Sequence, residues 1–181
     1  IETLCAIGNL KGRVLEPTIR HLESLDNPDI FDIYNYASVM EHTSQIQYLS
    51  TDTVASLFNG PESYTLVAEY DSKVVGHITI FQSNKVRAKH SASLAIAVHP
   101  EIHGKGIGKT LMKAAIEQSD NWLNLTRLEL EVHEDNLAAI SLYKRMGFEI
   151  EGTKRLSTFK SGKYINTVIM SRINPSYQLG A

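Results

Sequence analysis

Apolar and polar side chains alternate along several segments of the chain, which is the pattern of β-strands with one buried face. The strictest alternation covers residues 127–133, where three aliphatic residues face one way and Glu129, Glu131 and His133 face the other. β-Branched and aromatic residues between turn-forming pairs mark further strands. The predicted strands cover residues 19–22, 64–69, 74–81, 91–98, 127–133, 148–155 and 163–173.

Elsewhere apolar residues recur at intervals of three and four, which predicts helices that are buried along one face. Residues 30–39 and 136–146 show this spacing, and Gly147 supplies a left-handed end to the second helix. A short helix is predicted after Asp52, and a longer one follows the glycine-rich residues 103–108. Because strands and helices are interleaved along one chain, the sequence predicts an α/β fold.

The composition is that of one ordinary domain, with 181 residues, 43% hydrophobic residues and a net charge of -2. The single cysteine, Cys5, excludes an internal disulfide framework and fits a reducing compartment, so we expect a cytoplasmic protein. No run of about 20 apolar residues and no leader pattern occurs, which argues against a membrane or secreted protein. The 18 basic and 20 acidic residues nearly balance, which argues against a nucleic-acid surface.

Charge is nevertheless unevenly distributed, since residues 85–113 contain six basic side chains and one acid, Glu101. Within this stretch, three glycines alternate with other residues over 103–108, directly before a predicted helix. Glycine lets successive N–H groups point the same way at the positive end of the helix dipole. Lys105 and Lys109 flank the loop, so the sequence predicts a main-chain site for a pyrophosphate. A solvated basic surface without a ligand is the alternative.

Spacing decides among three phosphate-binding signatures for this loop. The nucleotide-triphosphate loop would need glycine at position 103, and the dinucleotide fingerprint would need glycine at position 109. Neither matches. The remaining hexad, residues 103–108, resembles the pyrophosphate loop of the GNAT superfamily of acyl-coenzyme A dependent N-acetyltransferases. That family usually has glutamine or arginine where this chain has His103, and the contact to phosphate is expected mainly through the backbone.

Flanking motifs strengthen the resemblance. Residues 94–100 resemble the family's fourth strand, which opens away from its neighbour and binds the pantetheine arm. Residues 131–136 and 142–148 resemble the family's fifth strand, fourth helix and sixth strand, in the same order. The chain is thus identified as a member of the bacterial single-domain branch that includes ribosomal-protein and amino-acid acetyltransferases.

The resemblance implies a fold and domain bounds. We expect a mixed, mostly antiparallel sheet of six to seven strands, flanked by about four helices on both faces. The acetyltransferase domain would cover residues 17–173, with an amino-terminal extension of uncertain structure over residues 1–16 and a tail over residues 174–181. Homodimers are common among relatives, so a homodimer is a further expectation.

The implied activity is transfer of an acetyl group from acetyl-coenzyme A to a primary amine of a small molecule or peptide, in one direct ternary complex. Tyr143 would act as the general acid toward the departing thiolate, and the N–H of Val98 would hold the thioester carbonyl. Asn136 would bind pantetheine or simply cap its helix. The residues expected to contact the cofactor are Ile96, Ala97, Val98, His103, Gly104, Lys105, Gly106, Ile107, Gly108, Lys109, Asn136, Ala139, Tyr143 and Arg145.

The general base is less sharply defined. Presenting the free base of a lysine-type amine at neutral pH costs about 4–5 kcal/mol, whereas an α-amine costs about 1 kcal/mol. Glu131 is the first candidate because it lies on the outward row of its strand, twelve residues before Tyr143. Glu129, His133 and water are alternatives, and each carboxylate could equally be a solvated ion pair.

The acceptor is not fixed by the sequence. The resemblance places its pocket between residues 30–57 and residues 155–166, with polar or aromatic candidates at Tyr34, Glu41, His42, Tyr164 and Asn166. A non-catalytic acyl-coenzyme A sensor or interaction module is the main functional alternative, and a nucleotide-triphosphate enzyme is weakened by the loop spacing.

No metal site is predicted from the sequence. His99 and His103 stand four residues apart, but the zinc motif needs glutamate directly after the first histidine, and Pro100 is there. A nucleophilic role for Cys5 is not expected either, because the sequence shows no partner arrangement around it.

Overall fold

The computed structural model describes residues 15–46 and 48–177. Within them, seven strands form one sheet in the order β1-β2-β3-β4-β5-β7-β6, and only the β4–β5 pair is parallel. The strands are β1 (Thr18–His21), β2 (Ser63–Tyr70), β3 (Lys73–Gln82), β4 (Ser91–Val98), β5 (Arg127–His133), β6 (Glu149–Lys160) and β7 (Lys163–Ile173). The helices are α1 (Asn27–Tyr34), α2 (Ala37–Met40), α3 (Thr51–Phe58), α4 (Ile107–Asn121) and α5 (Leu137–Arg145). The predicted fold class is confirmed.

The sheet separates two hydrophobic cores. Successive strand residues point to opposite faces, so Leu66 packs with α4 and α5 while Val67 packs with α1, α2 and α3. On the first face, Leu111 and Met112 of α4 are completely buried. Helices therefore cover both faces of the sheet, and the gap described below opens between the central strands.

The β2–β3 hairpin forms as its sequence predicts. Asp71 and Ser72 have φ values of 53° and 59°, so both central residues adopt the left-handed conformation of a tight two-residue turn. The two strands extend one residue beyond the predicted segments at each end. Within the sheet, β3 of this hairpin pairs with the central strand β4.

The helix predicted over residues 30–39 is divided in two, and this prediction was wrong in that respect. Tyr36 adopts an extended conformation between α1 and α2, with φ of -88° and ψ of 125°. Ile33 and Val39 nevertheless pack in the same core, whereas Ala37 is exposed, so the helical spacing does not continue across the break. Pro28 starts α1 earlier than predicted, because proline in a first turn removes no helical hydrogen bond.

Strand β6 is five residues longer at its carboxyl end than the predicted segment 148–155. Most of this strand is exposed, so no buried face marks its extent in the sequence. Its ladder with β7 is interrupted between Lys154 and Thr158, where Leu156 has φ of 50° and its N–H donates to Asn166 Oδ1 at 2.9 Å. The hydrophobic pattern does not predict this irregularity, because the residues around it are exposed.

The predicted terminal segments lie mainly outside the described residues, as does Cys5. Leu15 is an exception: it is buried, and its N–H donates to the carbonyl of Lys105 at 3.0 Å. Asn174 donates to the carbonyl of Thr126 at 2.9 Å at the other end. Among the helices described, none has the length and apolar character needed to span a bilayer.

Gly76 provides a test of the packing between β3, β4 and α4. A Cβ at this position would lie 3.1 Å from the carbonyl oxygen of Ala97 and 3.2 Å from Leu111 Cδ1. We expect Gly76→Ala to lower the free energy of unfolding by about 1–3 kcal/mol because backbone and core side chains must move apart. Urea denaturation of both proteins measures the change.

Gly152→Ala is the matched control, since a Cβ there meets nothing within 4 Å. Its effect should stay within about 0.5 kcal/mol. Equal effects of the two substitutions on stability would show that close packing does not restrict the Gly76 position.

Candidate active site

The site lies where the sheet opens between its two parallel strands. β4 and β5 pair only over residues 91–93 and 127–129. Beyond these pairs the strands diverge, and a cavity of about 1270 Å³ extends between them. Its walls are the second halves of β4 and β5, the start of α4 and one face of α5.

The open edge of β4 presents unpaired backbone groups to this cavity. His99 donates its N–H to the carbonyl of Val75, and Gly76 is the cross-strand partner of Val98. Because hydrogen-bonded and non-hydrogen-bonded pairs alternate along an antiparallel ladder, the N–H groups of Ile96 and Val98 point away from β3. No strand pairs with β4 at these two residues within the described structure.

The glycine loop enters α4 beside the end of β4. Gly104 and Gly106 have φ values of 76° and 91°, in the left-handed region that favours glycine. Gly106 caps α4, and the N–H groups of residues 106–109 donate to no acceptor in the described part of the chain. They form the positive end of a fifteen-residue helix, which is an anion-binding arrangement.

The beginning of α4 is in close contact with the other cavity walls. A Cβ built on Gly108 would lie 3.4 Å from Leu142 Cδ2 and 3.8 Å from Val98 Cγ2. Glycine at this position therefore lets the helix start pack between β4 and α5. This contact brings the loop N–H groups and the open strand edge into one cavity.

Of the predicted cofactor contacts, every residue except Lys105 lines the cavity. Lys109 and Arg145 contribute positive charge to the lining, and Arg145 Nη1 donates to Ser141 Oγ at 2.6 Å. Lys105 is not among the cavity-lining residues, and its carbonyl accepts the N–H of Leu15. The loop is thus held from outside by the segment that precedes β1.

His103 makes a contact that sequence reasoning missed. Its Nε2 donates to the carbonyl oxygen of Val98 at 2.8 Å, which fixes the Nε2-protonated form of the ring. The imidazole therefore links the first residue of the loop to the end of β4. No sequence pattern indicates this contact, because it depends on how the loop folds back on the strand.

Tyr143 reaches the cavity from α5 and is 7% exposed. Burial raises the pKa of its phenol to about 12, so the hydroxyl stays protonated at neutral pH. Among residues 15–46 and 48–177, no buried side-chain polar atom lacks a partner and no hydrogen bond involves this hydroxyl, so the hydroxyl is open to the cavity. The ring packs 6.1 Å from Phe148 between centroids. A protonated phenol is thus available to a group bound in the cavity.

Asn136 caps α5, because its Oδ1 accepts the N–H of Ala139 at 3.2 Å. Its side-chain amide remains on the cavity wall. The structure thus supports the capping role and leaves the NH₂ group for a ligand.

The candidate bases differ in their surroundings. Glu131 is exposed and forms an ion pair with Lys154, whereas Glu129 pairs with Arg127 at 3.2 Å. His133 is buried, and its Nδ1 donates to the carbonyl of Glu41 at 3.0 Å. This bond leaves Nε2 of a neutral His133 as an acceptor.

The second end of the cavity is built by the early helices and the β6–β7 hairpin. Tyr34 and His42 line it as expected, while Glu41, Tyr164 and Asn166 are not among the cavity-lining residues. Burial, and then the nearby charge of Lys160, lowers the pKa of His42. Aromatic and aliphatic side chains that the sequence did not single out complete this end: Val39, Leu57, Phe58 and Phe81.

Lys154 also lines the cavity and was not predicted. It lies on β6 opposite Thr167, and Thr167 in turn pairs with His133 of β5. Only the strand order β5-β7-β6 places this lysine next to Glu131, so periodicity alone could not find it.

Comparisons with known proteins agree with this geometry. The family model described as the acetyltransferase (GNAT) family matches residues 19–148. The L-amino acid N-acetyltransferase AaaT of Escherichia coli K12 is 37% identical over 159 residues, which cover 87% of this chain and 98% of that protein. The spermidine N(1)-acetyltransferase of the same organism is 28% identical and covers 88% and 87% of the two chains.

A solved structure has the same architecture. The spermidine N-acetyltransferase of Vibrio cholerae, crystallised with coenzyme A and spermine, has a TM-score of 0.78 and is 27% identical, covering 87% of this chain and 95% of that one. The chain belongs to the GNAT family of acetyltransferases. It is an acetyl-coenzyme A dependent N-acetyltransferase that acts on a small amine, as the sequence predicted, and the alternative of a non-catalytic binding module is not favoured.

Proposed function

We propose that the enzyme moves the acetyl group directly from acetyl-coenzyme A to a small primary amine within the cavity between β4 and β5. One observation carries this proposal: the open edge of β4, the phenol of Tyr143 and the glycine-loop N–H groups, which have no acceptor among the described residues, all face the same space. A direct transfer needs the thioester and the amine in contact, and a single cavity supplies that proximity.

For the cofactor, we place the pyrophosphate on the N–H groups of residues 106–109 and the pantetheine arm along β4. Lys109 and Arg145 would add charge-assisted hydrogen bonds to phosphate oxygens. The N–H of Val98 would bind the thioester carbonyl oxygen and stabilise negative charge on it as the amine attacks.

Tyr143 acts in this proposal as the hydrogen-bond donor to the departing thiolate. Its pKa of about 12 lies above the value near 8.5 of an ordinary thiol, so complete proton transfer would be uphill by about 5 kcal/mol. Donation of a hydrogen bond while the C–S bond breaks requires no complete transfer. The stabilisation of the sulfur is therefore assigned to that hydrogen bond.

Glu131 is the proposed general base, acting directly or through one water. It is a cavity-lining carboxylate on the same strand as His133 and forms an ion pair with Lys154. His133 is the second candidate, because its hydrogen bond to Glu41 leaves Nε2 free to accept a proton.

We propose an α-amino acid as the acceptor. The relatives named above act on an amino acid and on spermidine, which differ in charge. The two acids that line the described cavity are both paired, Glu129 with Arg127 and Glu131 with Lys154. A zwitterion can exchange contacts with the Glu131–Lys154 pair, whereas a polyamine would bring only positive charge against Lys154.

Three expectations stay predictions: a cytoplasmic location, a homodimer, and domain bounds at residues 17 and 173.

The loop assignment predicts a selective loss of cofactor affinity. Gly106→Ala places a Cβ on a residue with φ of 91°, which costs about 1–2 kcal/mol of strain and turns the loop N–H groups. We expect acetyl-coenzyme A to bind roughly 10- to 100-fold more weakly, as for loss of one charge-assisted hydrogen bond. Isothermal titration calorimetry measures the change.

Gly162→Ala is the control, because Gly162 has φ of 80° in the β6–β7 turn. It should lower stability by a similar amount and leave cofactor affinity unchanged. Unchanged affinity of Gly106→Ala for acetyl-coenzyme A would show that the pyrophosphate does not bind at this loop.

The catalytic assignments predict different kinetic signatures. Tyr143→Phe should bind acetyl-coenzyme A normally and lower kcat by about 100-fold, because only the hydrogen bond to the leaving thiolate is lost. Tyr177→Phe, at an exposed tyrosine, is the control. Coenzyme release in steady state measures both, and an unchanged kcat in Tyr143→Phe would exclude this role.

The same assay tests the base through pH. If Glu131 takes the proton, the rate of Glu131→Gln should rise about tenfold per pH unit through neutral pH, following the free amine. A profile identical to that of the parent enzyme would transfer the role to His133 or water.

The acceptor proposal predicts that L-amino acids are better substrates than spermidine, by about tenfold or more in kcat/KM. Initial rates of coenzyme release with both classes measure this ratio. Spermidine as the better substrate would contradict the charge argument while leaving the transfer chemistry intact.

A further inference from the structure

Three potential metal ligands lie close together at the second end of the cavity, which is built by the early helices and the β6–β7 hairpin. We call it the acceptor end because the acceptor amine is expected there. His42 follows α2, His133 ends β5, and Asp135 lies in the turn after β5. One ligand atom from each lies within 4.8 Å of the others. We propose that these side chains form a binding site for a transition-metal ion with the preferences of Zn²⁺, which takes imidazole and carboxylate ligands.

His133 is the fixed member of the set. It is buried, and its Nδ1 donates to the carbonyl of Glu41 at 3.0 Å. A hydrogen bond from the other ring nitrogen to a carbonyl is the usual support of a metal-binding histidine, because it sets the tautomer and the ring orientation. Nε2 of His133 is therefore left as the ligand atom.

Asp135 has one oxygen held and one available. Its Oδ2 accepts from Lys160 Nζ at 2.6 Å, and its Oδ1 lies 3.8 Å from His42 Nδ1. Lys160 thus engages Oδ2 and leaves Oδ1 directed to the imidazole.

The remaining separation can be closed by side chains alone. Tetrahedral Zn²⁺, with bonds of about 2.0–2.2 Å, holds its ligand atoms about 3.3 Å apart. The side chains of His42 and Asp135 are 38% and 46% exposed, so rotation toward His133 is not blocked by a packed core. Three protein ligands leave at least one coordination position for water or another ligand.

Lys160 also sets the strength of the site. Its ammonium group offsets the charge of Asp135 and lies close to where the metal would bind, so it opposes a dication. Removing this charge should strengthen binding, whereas an adventitious ion on a histidine outside the cluster would not respond to it. Substitution of Lys160 is therefore expected to change the metal affinity in the opposite direction to substitution of the ligands.

A metal ion at this position would compete with the acceptor amine for the cavity and would leave the binding of acetyl-coenzyme A unchanged. His42 and His133 line the acceptor end of the cavity, away from the glycine loop. This consequence rests on the proposed function, whereas the metal site itself does not. Zn²⁺ would then be an inhibitor competitive with the acceptor.

The experiment titrates Co²⁺ into tag-free protein carrying Cys5→Ser, which removes the only thiol in the sequence. We expect one Co²⁺ per chain with the intense visible absorption of four- or five-coordinate cobalt, displaced by Zn²⁺. His42→Asn and Asp135→Asn should each weaken binding by about tenfold or more. Lys160→Met should strengthen it, and His90→Asn, at an exposed histidine outside the cluster, should have no effect.

Absence of saturable binding, the weak spectrum of octahedral cobalt, or equal affinity in the ligand variants would overturn the proposal. Circular dichroism establishes that each variant is folded. The titration contains no acetyl-coenzyme A, so its failure leaves the acetyl-transfer assay unaffected. Conversely, saturable metal binding in a protein without acetyl transfer would support the site and contradict the proposed function.

Discussion

The interruption of the sheet between β4 and β5 is the constraint on which the active site depends. A continued ladder would pair the N–H groups of Ile96 and Val98 with a neighbouring strand and leave no cavity. Each hydrogen bond formed to such a group contributes about 0.5–1.5 kcal/mol net. A cofactor that carries amide and carbonyl groups can form these bonds, so the interruption of the ladder provides binding energy for the pantetheine arm.

Contacts on both sides fix the position of the phosphate loop relative to the opening between β4 and β5. His103 ties the loop to the carbonyl of Val98, and Leu15 ties it to the segment before β1. Gly108 lets the start of α4 pack against both β4 and α5. Because these contacts involve three elements, the loop N–H groups and the strand edge are positioned together before any ligand binds, which lowers the entropic cost of binding.

Local sequence predicts the parts of this site that depend on local backbone chemistry. The glycines at 104 and 106 adopt positive φ as their spacing implies, the β2–β3 turn forms at Asp71-Ser72, and Asn136 caps α5. The resemblance to the GNAT family adds the opening of the sheet at β4 and the roles of Tyr143 and Val98, which composition alone does not predict. Features that depend on strand order were not predictable: Lys154 reaches Glu131 only through β7, and His42 reaches His133 only through folding of distant segments. The break at Tyr36 was hidden because both short helices pack in one core.

The central claim is that acetyl-coenzyme A lies between β4 and the amino end of α4. Backbone amide chemical shifts of isotope-labelled protein, recorded with and without acetyl-coenzyme A, test it most directly. The account predicts the largest shifts at the N–H groups of Ile96, Val98 and residues 106–109. Saturable binding that leaves these amides unshifted, with changes confined to other parts of the chain, would contradict it.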